Sequence, residues 1–270
     1  MSTLRAIRRT GRRVALRVED RFVREPATRP VFVLGNQKSG TTAIARLLSA
    51  ASGSSYSHDM FFRRGWDDVD ALHDGRLGVP DLVRRGPAEF TRGVIKDPDL
   101  TFHAGALADA FPQARFLVVV RDPARTVKSI LERLAIPGDL DDLPPHTLAG
   151  NPLWASVFAA GPLGLPGGSH IDVLAQRWTR SVACREELSA LGREPVTVRY
   201  EDFLADKAGV LGDLCARLDL PAAVDVSALL DRQFQPRGTS RPVEEFFGAA
   251  NLERIRRWTA DAGNALGYPR

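Results

Sequence analysis

The chain has 270 residues, with 37 Lys and Arg against 33 Asp and Glu, which gives a formal net charge of +4. This length allows one large core, and the modest positive charge suits an anionic ligand without indicating a nucleic-acid partner. No apolar run is long enough to cross a bilayer and no signal-peptide pattern begins the chain, so we expect a soluble, cytoplasmic protein. Its two cysteines, Cys184 and Cys215, lie in helical patterns and are expected to be reduced core residues.

Residues 1–29 are predicted to form a basic N-terminal extension to a single α/β domain over residues 30–270. Arginines alternate with apolar residues within residues 1–24, in a weakly amphipathic helical pattern. One interpretation is a solvated helix packed on the edge of the domain. The other is a weak contact with an anionic membrane surface, which basic amphipathic helices can make.

A strand, a glycine loop and a helix are predicted in succession over residues 31–48, which read VFVLGNQKSGTTAIARLL. Gly35 and Gly40 allow backbone amides of the loop to turn toward one point, and Lys38 adds a full positive charge. The first turn of the helix adds unpaired N–H groups and the positive end of its dipole. The loop therefore predicts a site for a phosphate-like anion; the alternative is a glycine turn without a ligand.

The loop departs from the Walker A motif of ATP-binding proteins in the position of its lysine. Gly35 and Gly40 have the separation of that motif and Thr42 occupies its Ser/Thr position, but Thr41 stands where the lysine should be. The sequence Lys-Ser-Gly-Thr-Thr instead resembles the 5′-phosphosulfate loop of sulfotransferases that use 3′-phosphoadenosine 5′-phosphosulfate (PAPS). This resemblance implies a cofactor-binding loop composed of Gln37, Lys38, Ser39, Gly40, Thr41 and Thr42.

A second short strand is possible within residues 53–60, with His58 and Asp59 at its carboxyl end. In open parallel sheets, the ligand crevice lies outside the carboxyl ends of the strands. The segment 61–92 shows little pattern apart from a helix near residues 79–90. We interpret this segment as an insertion on the substrate side of the domain.

Two further strands are predicted at residues 94–98 and 116–120, and the second is a continuous apolar run typical of a strand buried on both faces. It ends in Arg121-Asp122-Pro123, which begins a helix extending through residue 134. Arg121 precedes Ser129 by eight positions, which resembles the sulfotransferase signature that grips the 3′-phosphate of PAPS. The arginine would supply a charge-assisted contact and the serine a hydroxyl donor. Alone this motif is weak, and its position after the glycine loop strengthens it.

The segment 138–168 is rich in Pro, Gly and Leu without a clear period, and its apolar residues argue against disorder. We interpret it as a lid or as a wall of the acceptor pocket. A helix is predicted at residues 171–191 and another at residues 244–266.

A strand at residues 196–198 leads into Arg199-Tyr200-Glu201-Asp202-Phe203, which resembles a sulfotransferase segment whose tyrosine lies near the adenine. Asp202 is predicted to cap the following helix, at residues 204–218. Further on, Arg237-Gly238 resembles the late loop that closes over the 3′-phosphate in sulfotransferases, with Arg241 as a second candidate. The alternative for this loop is a solvated basic turn.

Together these segments resemble bacterial-type members of the PAPS-dependent sulfotransferase family over most of residues 31–241. The resemblance implies a three-layer fold related to the P-loop kinases, with a central parallel sheet of about five strands flanked by helices; the sequence periodicity indicates the same α/β class. It implies in-line transfer of a sulfuryl group from PAPS to an acceptor hydroxyl or amine, which leaves 3′-phosphoadenosine 5′-phosphate (PAP), with no metal expected. Lys38 would stabilise the leaving 5′-phosphate, while Arg121, Ser129 and Arg237 would hold the 3′-phosphate.

The general base is where the chain departs from the family. Many members carry Lys-Thr-His on the third strand, whereas this chain has Lys96-Asp97-Pro98. Other branches use an acidic residue at the end of the second strand, so Asp59 is predicted as the base, with His58 next and Asp97 after it. Either Asp59 or His58 could instead be a loop-capping group.

Two other functions are compatible with parts of this sequence. A P-loop kinase that uses ATP and Mg²⁺ is disfavoured by the position of Lys38, although Asp122 could hold a metal. A non-catalytic nucleotide-binding or membrane-surface module would keep the anion loop and use the basic N-terminus. The sequence does not distinguish a sugar, lipid, peptide or small natural product as the acceptor.

Overall fold

A computed structural model describes residues 18–20, 22, 25–64, 69–144, 146–235 and 238–268. The basic helix predicted within residues 1–24 lies mostly outside these residues, and so does Arg237. In the described part of the chain, no helix is long and apolar enough to cross a membrane.

Five parallel strands form one sheet in the order β2-β3-β1-β4-β5. Their bounds are β1 Val31–Leu34, β2 Tyr56–His58, β3 Val94–Lys96, β4 Arg115–Val120 and β5 Val196–Arg199. β1 lies between β3 and β4, and its residues Val33 and Leu34 pair with Lys96 and Val118. The carboxyl ends of these three central strands therefore meet at one edge of the sheet, where the strand order changes direction. The predicted α/β class and the five-stranded parallel sheet are confirmed.

Helices connect the strands. The helix α1 Thr41–Ser52 lies between β1 and β2. Four short helices lie between β2 and β3, namely α2 Met60–Arg64, α3 Val69–His73, α4 Val79–Arg85 and α5 Pro87–Phe90. After β3 come a 3₁₀ turn at Pro98–His103, α6 Ala104–Ala110 and, beyond β4, α7 Pro123–Arg133. The rest of the chain forms α8 Pro152–Val157, α9 His170–Val182, α10 Cys184–Ala190, α11 Tyr200–Ala205, α12 Lys207–Arg217 and α13 Val243–Ala265.

Two apolar layers cover the sheet because successive strand residues point to opposite faces. On one face Val33 packs with Ile44 of α1 and Phe203 of α11. On the other face Phe32 packs in a cluster that includes Trp178 of α9. A third cluster joins α7, α8, α9 and α13 beside the sheet. The fold is thus helix, sheet and helix in three layers, with the strand ends left accessible at one edge.

Several helix boundaries differ from the predicted ones. The predicted helix 171–191 consists of α9 and α10, joined by Ala183. The predicted helix 204–218 begins earlier, at Tyr200, and is interrupted by Asp206, whose extended backbone ends α11. Asp206 then caps α12 by accepting a hydrogen bond of 2.8 Å from the Gly209 N–H. The prediction that Asp202 caps this helix is wrong, since Asp202 lies within the first turn of α11.

In their described residues, the segments 61–92 and 138–168 contain several short helices. The first holds most of α2 together with α3, α4 and α5, and the second holds α8. The two segments are joined by a hydrogen bond of 2.5 Å from the Ser156 hydroxyl of α8 to the Asp70 carboxylate of α3. They therefore form a continuous structure above one end of the sheet. Both cysteines are buried and unbonded, as predicted.

Candidate active site

The glycine loop between β1 and α1 adopts a backbone that few residue types allow. Gly35 and Gly40 have φ angles of 143° and 93°. A Cβ atom at Gly35 would overlap the carbonyl oxygen of Val119, and one at Gly40 would overlap the ring of Tyr200. These glycines therefore let the loop lie directly against β4 and the start of α11.

The loop leaves polar groups available to an anion. Within the described residues no side chain caps α1. The Ala43 N–H donates a hydrogen bond of 3.0 Å to the Gly40 carbonyl oxygen, whereas the N–H groups of Thr41 and Thr42 have no backbone partner among the described residues. The side-chain amide of Asn36, which is only 1% exposed, also has no hydrogen-bond partner among the described residues. Together with the helix dipole, these donors fit a phosphate or sulfate group at the start of α1.

Lys38 lies in this loop with a positive φ of 69°. Its ammonium group donates a hydrogen bond of 3.1 Å to Gln235, whose side-chain amide in turn donates one of 3.1 Å to the Thr42 hydroxyl. Burial, together with the nearby Arg133 and Arg121, lowers the pKa of Lys38 from 10.5 to about 8. An anion bound among these cations would relieve their mutual repulsion.

Arg121, which begins the second sequence motif, is in direct contact with the loop. Its guanidinium group donates a hydrogen bond of 2.9 Å to the carbonyl oxygen of Lys38 and lies 5.1 Å from the centre of the Tyr200 ring. Because β4 ends beside β1, the structure brings together two motifs that are 83 positions apart in the sequence. Tyr200 contacts both Gly40 and Arg121.

Ser129 is half-buried on α7, one turn before Arg133 on the same side of the helix. The neighbouring Glu132 accepts a hydrogen bond of 3.0 Å from the Thr239 N–H. The described part of the late loop therefore packs along α7, close to Ser129. Gly238 lies beside the Glu132 carboxylate, whereas Arg241 bonds to the Glu245 carbonyl.

Asp59 follows β2 directly and forms an ion pair of 2.6 Å with Lys96 at the end of β3. Burial alone would raise the pKa of Asp59, but the Lys96 ammonium holds it below its ordinary value. His58 instead lies between the Tyr56 ring and Arg46, and burial lowers the pKa of His58 to about 4. Of the two residues predicted at the end of the second strand, Asp59 lines the cavity described below.

Asp97 is 2% exposed and accepts hydrogen bonds from the backbone N–H groups of Asp99 and Phe61, at 3.1 and 3.4 Å. Burial, with the carboxylates of Asp99 and Asp59 nearby, raises the pKa of Asp97 well above its ordinary value. Asp97 is thus the carboxyl group in this cluster that most readily holds a proton.

Behind the loop lies a buried polar network that the sequence did not indicate. Asp99 accepts hydrogen bonds from Gln37, His73 and Arg177 at 3.0, 3.2 and 2.7 Å. Burial opposes ionisation, but these donors lower the pKa of Asp99 to about 2. Arg177 also donates a hydrogen bond of 3.2 Å to the side-chain oxygen of Gln37. The Gln37 side chain is therefore engaged in positioning the loop, although the sequence resemblance had placed it among the cofactor contacts.

These groups surround a cavity of about 260 Å³. Its polar side is formed by Lys38, Asp59, Lys96, Asp97 and Asp99, with Arg133 at its rim. Its apolar side is formed by residues of α2 and α8, namely Phe61, Phe62, Leu153, Trp154 and Val157. The cavity therefore joins the anion loop to a second surface of different chemistry, which is the arrangement that a two-substrate transfer requires.

Comparisons with known proteins agree with this geometry. Residues 55–137, from β2 to just beyond α7, match the sequence model of the sulfotransferase family. This segment of the chain is similar in sequence to sulfotransferases. The matched segment contains Arg121 and Ser129 but not the glycine loop, so the chemistry of the loop is an observation independent of this match. No curated protein sequence gives a significant match.

Three solved structures share the fold. Sulfotransferase STF9 from Mycobacterium avium has a TM-score of 0.59 at 15% identity, over 89% of this chain and 77% of that chain. Sulfotransferase STF1 from Mycobacterium tuberculosis has a TM-score of 0.51 at 17% identity, over 90% and 78%. The sulfotransferase domain from the curacin biosynthetic pathway has a TM-score of 0.50 at 16% identity, over 91% and 99%. At these identities, the likeness shows that the chain shares their fold.

Asp122, the residue that kept the kinase interpretation open, has a structural role at the start of α7. Its carboxylate accepts a hydrogen bond of 2.7 Å from the Arg125 N–H and so caps α7. The residues that sequence reasoning missed, Asp99, Arg177, Gln235 and Arg133, come from separate segments, and their positions depend on the tertiary fold.

Proposed function

We propose that this protein transfers the sulfuryl group of PAPS to a hydroxyl or amine of an acceptor and releases PAP. One observation carries this proposal: the Arg121 guanidinium contacts the Lys38 carbonyl at 2.9 Å. The contact unites two motifs that separately resemble the 5′- and 3′-phosphate sites of PAPS-dependent enzymes. A ligand with two separate anionic groups could place one beside Lys38 and the other beside Arg121.

The loop is the proposed site of the 5′-phosphosulfate. The amides at the start of α1 and the hydroxyls of Thr41 and Thr42 would contact the phosphate, while Lys38 neutralises its charge. Arg121 and Ser129, with the Gly238 backbone and Arg237, would hold the 3′-phosphate beside α7. Tyr200 would supply a flat surface near the adenine. This donor site uses no metal, because sulfate carries less charge than phosphate and the cations are supplied by the chain.

The reaction follows from the charge that moves. The acceptor oxygen or nitrogen attacks sulfur as the bond between sulfur and the 5′-phosphate oxygen breaks, and negative charge develops on the leaving phosphate. Lys38 and the loop amides stabilise that charge where it appears. Holding the 3′-phosphate away from the reaction serves orientation, since remote binding energy positions the reacting groups.

The acceptor proton is taken by a carboxylate on the polar side of the cavity. We assign this role to Asp59, which faces the cavity and whose pairing with Lys96 keeps it ionised. Asp97, with its raised pKa, is the second candidate. His58 ranks below both because it contacts Tyr56 and Arg46.

The proposal is tested with PAPS that carries radioactive sulfur, incubated with a pool of alcohols, phenols and amines. We expect wild-type protein to transfer the label to at least one acceptor, and the Lys38→Ala variant to be slower by about a hundredfold or more. Arg84→Ala, which changes an exposed arginine of α4, serves as the control and should behave as wild type. Hydrolysis of ATP with transfer of its phosphate, and no transfer from PAPS, would overturn the proposal.

A further inference from the structure

The apolar side of the cavity is formed by two helices, α2 and α8, which belong to segments far apart in the sequence. α2 contributes Phe61 and Phe62, and the Phe62 side chain remains 56% exposed. α8 contributes Leu153, Trp154 and Val157 from the opposite segment. An aromatic and aliphatic wall therefore faces the charged groups of the polar side across one cavity, as in sites that bind a ligand with an apolar body and a polar group.

The wall is a fixed part of the structure. The hydrogen bond from Ser156 to Asp70 holds α8 against α3, and Phe61 and Val157 are buried in two different core clusters. Backbone groups support α2 as well, since the Phe61 N–H donates to the Asp97 carboxylate. The apolar surface is thereby held at a constant position relative to the carboxylates of the polar side.

The charges on the polar side are already balanced. Asp59 is paired with Lys96 at 2.6 Å, and Asp99 is paired with the fully buried Arg177 at 2.7 Å. Lys38 and Arg133 face the volume in which the proposed function places the donor anions. An acceptor with a net charge near the reacting group would therefore be buried without a counter-charge, which is costly.

We propose, resting on the sulfuryl transfer proposed above, that the acceptor is a neutral alcohol or phenol whose hydroxyl is carried on an apolar body. Its hydroxyl lies against Asp59 and Asp97, and its body lies between Phe62 and Trp154. Burial of that body supplies the binding energy, while the carboxylates orient the hydroxyl toward the sulfur.

The test is a series of straight-chain primary alcohols from ethanol to octanol, together with glucose and 8-hydroxyoctanoate, each sulfated with PAPS. We expect kcat/KM to rise about fourfold for each added methylene until the apolar wall is covered. Glucose and the carboxylate should be poorer than octanol by about a hundredfold. Trp154→Ala and Phe62→Ala should flatten the dependence on chain length, whereas Leu191→Ala, which shortens an exposed leucine at the end of α10, should leave it unchanged.

Two binding measurements separate failure of this inference from failure of the proposed function. Calorimetry with PAP tests the donor site, and ligand-detected NMR with octanol, on protein with and without PAP, tests the apolar site without turnover. Loss of the octanol signal in Trp154→Ala supports the inference. PAP binding combined with no dependence on chain length, or with preference for glucose or 8-hydroxyoctanoate, would overturn the acceptor class alone. Absence of PAP binding would overturn the proposed function, and the octanol signal would still decide the apolar site.

Discussion

At the scale of single residues, the active site is dominated by charged groups whose surroundings alter their proton affinity. Burial lowers the pKa of Lys38, and the positive charges of Arg133 and Arg121 lower it further. Asp59 and Asp97 lie on the same side of the cavity, but the pKa of Asp59 is lowered and the pKa of Asp97 is raised. The ionisation of these groups should therefore be visible in the pH dependence of binding and turnover.

The affinity for PAP should fall as the pH rises through about 8. Burial and neighbouring cations lower the pKa of Lys38 to about 8, so its charge is fully present below that pH and is lost above it. Because the anion binds the charged form, affinity should drop by up to about tenfold per pH unit in the alkaline range. Lys38→Arg should remove this dependence, since arginine stays protonated throughout. Calorimetric titrations across this range provide the measurement, and an unchanged profile in Lys38→Arg would show that another group titrates.

Replacement of Asp59 by Asn should lower turnover by at least about a hundredfold while PAP affinity stays nearly unchanged. The carboxylate lines the cavity, whereas the donor contacts come from the loop and α7. Since Asn leaves the Lys96 ammonium without its partner, thermal unfolding should be followed alongside steady-state kinetics. His58→Asn is the matched comparison and should retain most activity. Normal turnover in Asp59→Asn would transfer the role of base to Asp97.

Sequence reasoning named two residues that line the cavity, Lys38 and Asp59, and missed others for a physical reason. Lys38 was named from the glycine loop, whose sequence resembles a known anion site. Asp59 was named because it directly follows a strand and the carboxyl ends of parallel strands meet at one edge. The local sequence does not mark Arg177 and Gln235 as site residues. Arg177 lies 140 positions after its partner Gln37, and Gln235 lies 197 positions after its partner Lys38. Their side chains become functional only when α9 and the segment after α12 pack against the loop.

At the scale of secondary structure, the loop and α1 depend on close contact with their neighbours. Gly40 has a left-handed backbone and lies against the Tyr200 ring. Gly53, at the other end of the same helix, also has a positive φ, of 65°, but has open space where a Cβ would be. The two glycines therefore separate the effect of backbone strain from the effect of crowding.

Gly53→Ala should destabilise the protein by about 1–2 kcal/mol and leave PAP affinity unchanged, because only backbone strain is introduced. Gly40→Ala should introduce the same strain and also displace the Tyr200 ring, so the affinity for PAP should fall by about tenfold or more. Urea unfolding and calorimetry on both variants provide the comparison. Equal PAP affinities in the two variants would mean that the loop tolerates displacement and that its geometry does not determine binding.

The strands were easier to predict than the helices. Short apolar runs identified four of the five, whereas β2 was given as possible within the mostly polar residues 53–60. The continuous burial of β4 matches its unbroken apolar sequence. Helix boundaries failed where a single polar residue interrupted a continuous apolar period, as Asp206 does between α11 and α12. The segment 138–168 could not be predicted in detail because its helix α8 is held by a contact with α3 rather than by its own pattern.

At the scale of the whole molecule, the Arg177 network links α9, the 3₁₀ turn after β3 and the glycine loop. Arg177 is 0% exposed and pairs with Asp99, which also accepts from Gln37. A buried charge of this kind is costly to leave without a partner. The loop is therefore positioned by an ion pair inside the molecule, well away from its surface.

Arg177→Met should lower the free energy of unfolding by about 3–5 kcal/mol, because Asp99 would keep a buried charge without its main partner. The measurement is urea denaturation at neutral pH. The control is Arg180→Met, since Arg180 lies on the same helix, is partly exposed and is 4.0 Å from Glu187. This substitution should lower the free energy of unfolding by less than about 1 kcal/mol. A stability of Arg177→Met equal to that of Arg180→Met would show that the network does not hold the fold together.

The most direct test of the account is a calorimetric titration of the protein with PAP and with ATP, each with and without Mg²⁺. The two cation sites, around Lys38 and Arg121, predict PAP binding that is independent of Mg²⁺. Arg121→Ala should weaken PAP by about ten- to a hundredfold but affect adenosine 5′-phosphosulfate, which lacks the 3′-phosphate, much less. Binding of ATP that requires Mg²⁺, together with no binding of PAP, would contradict the account.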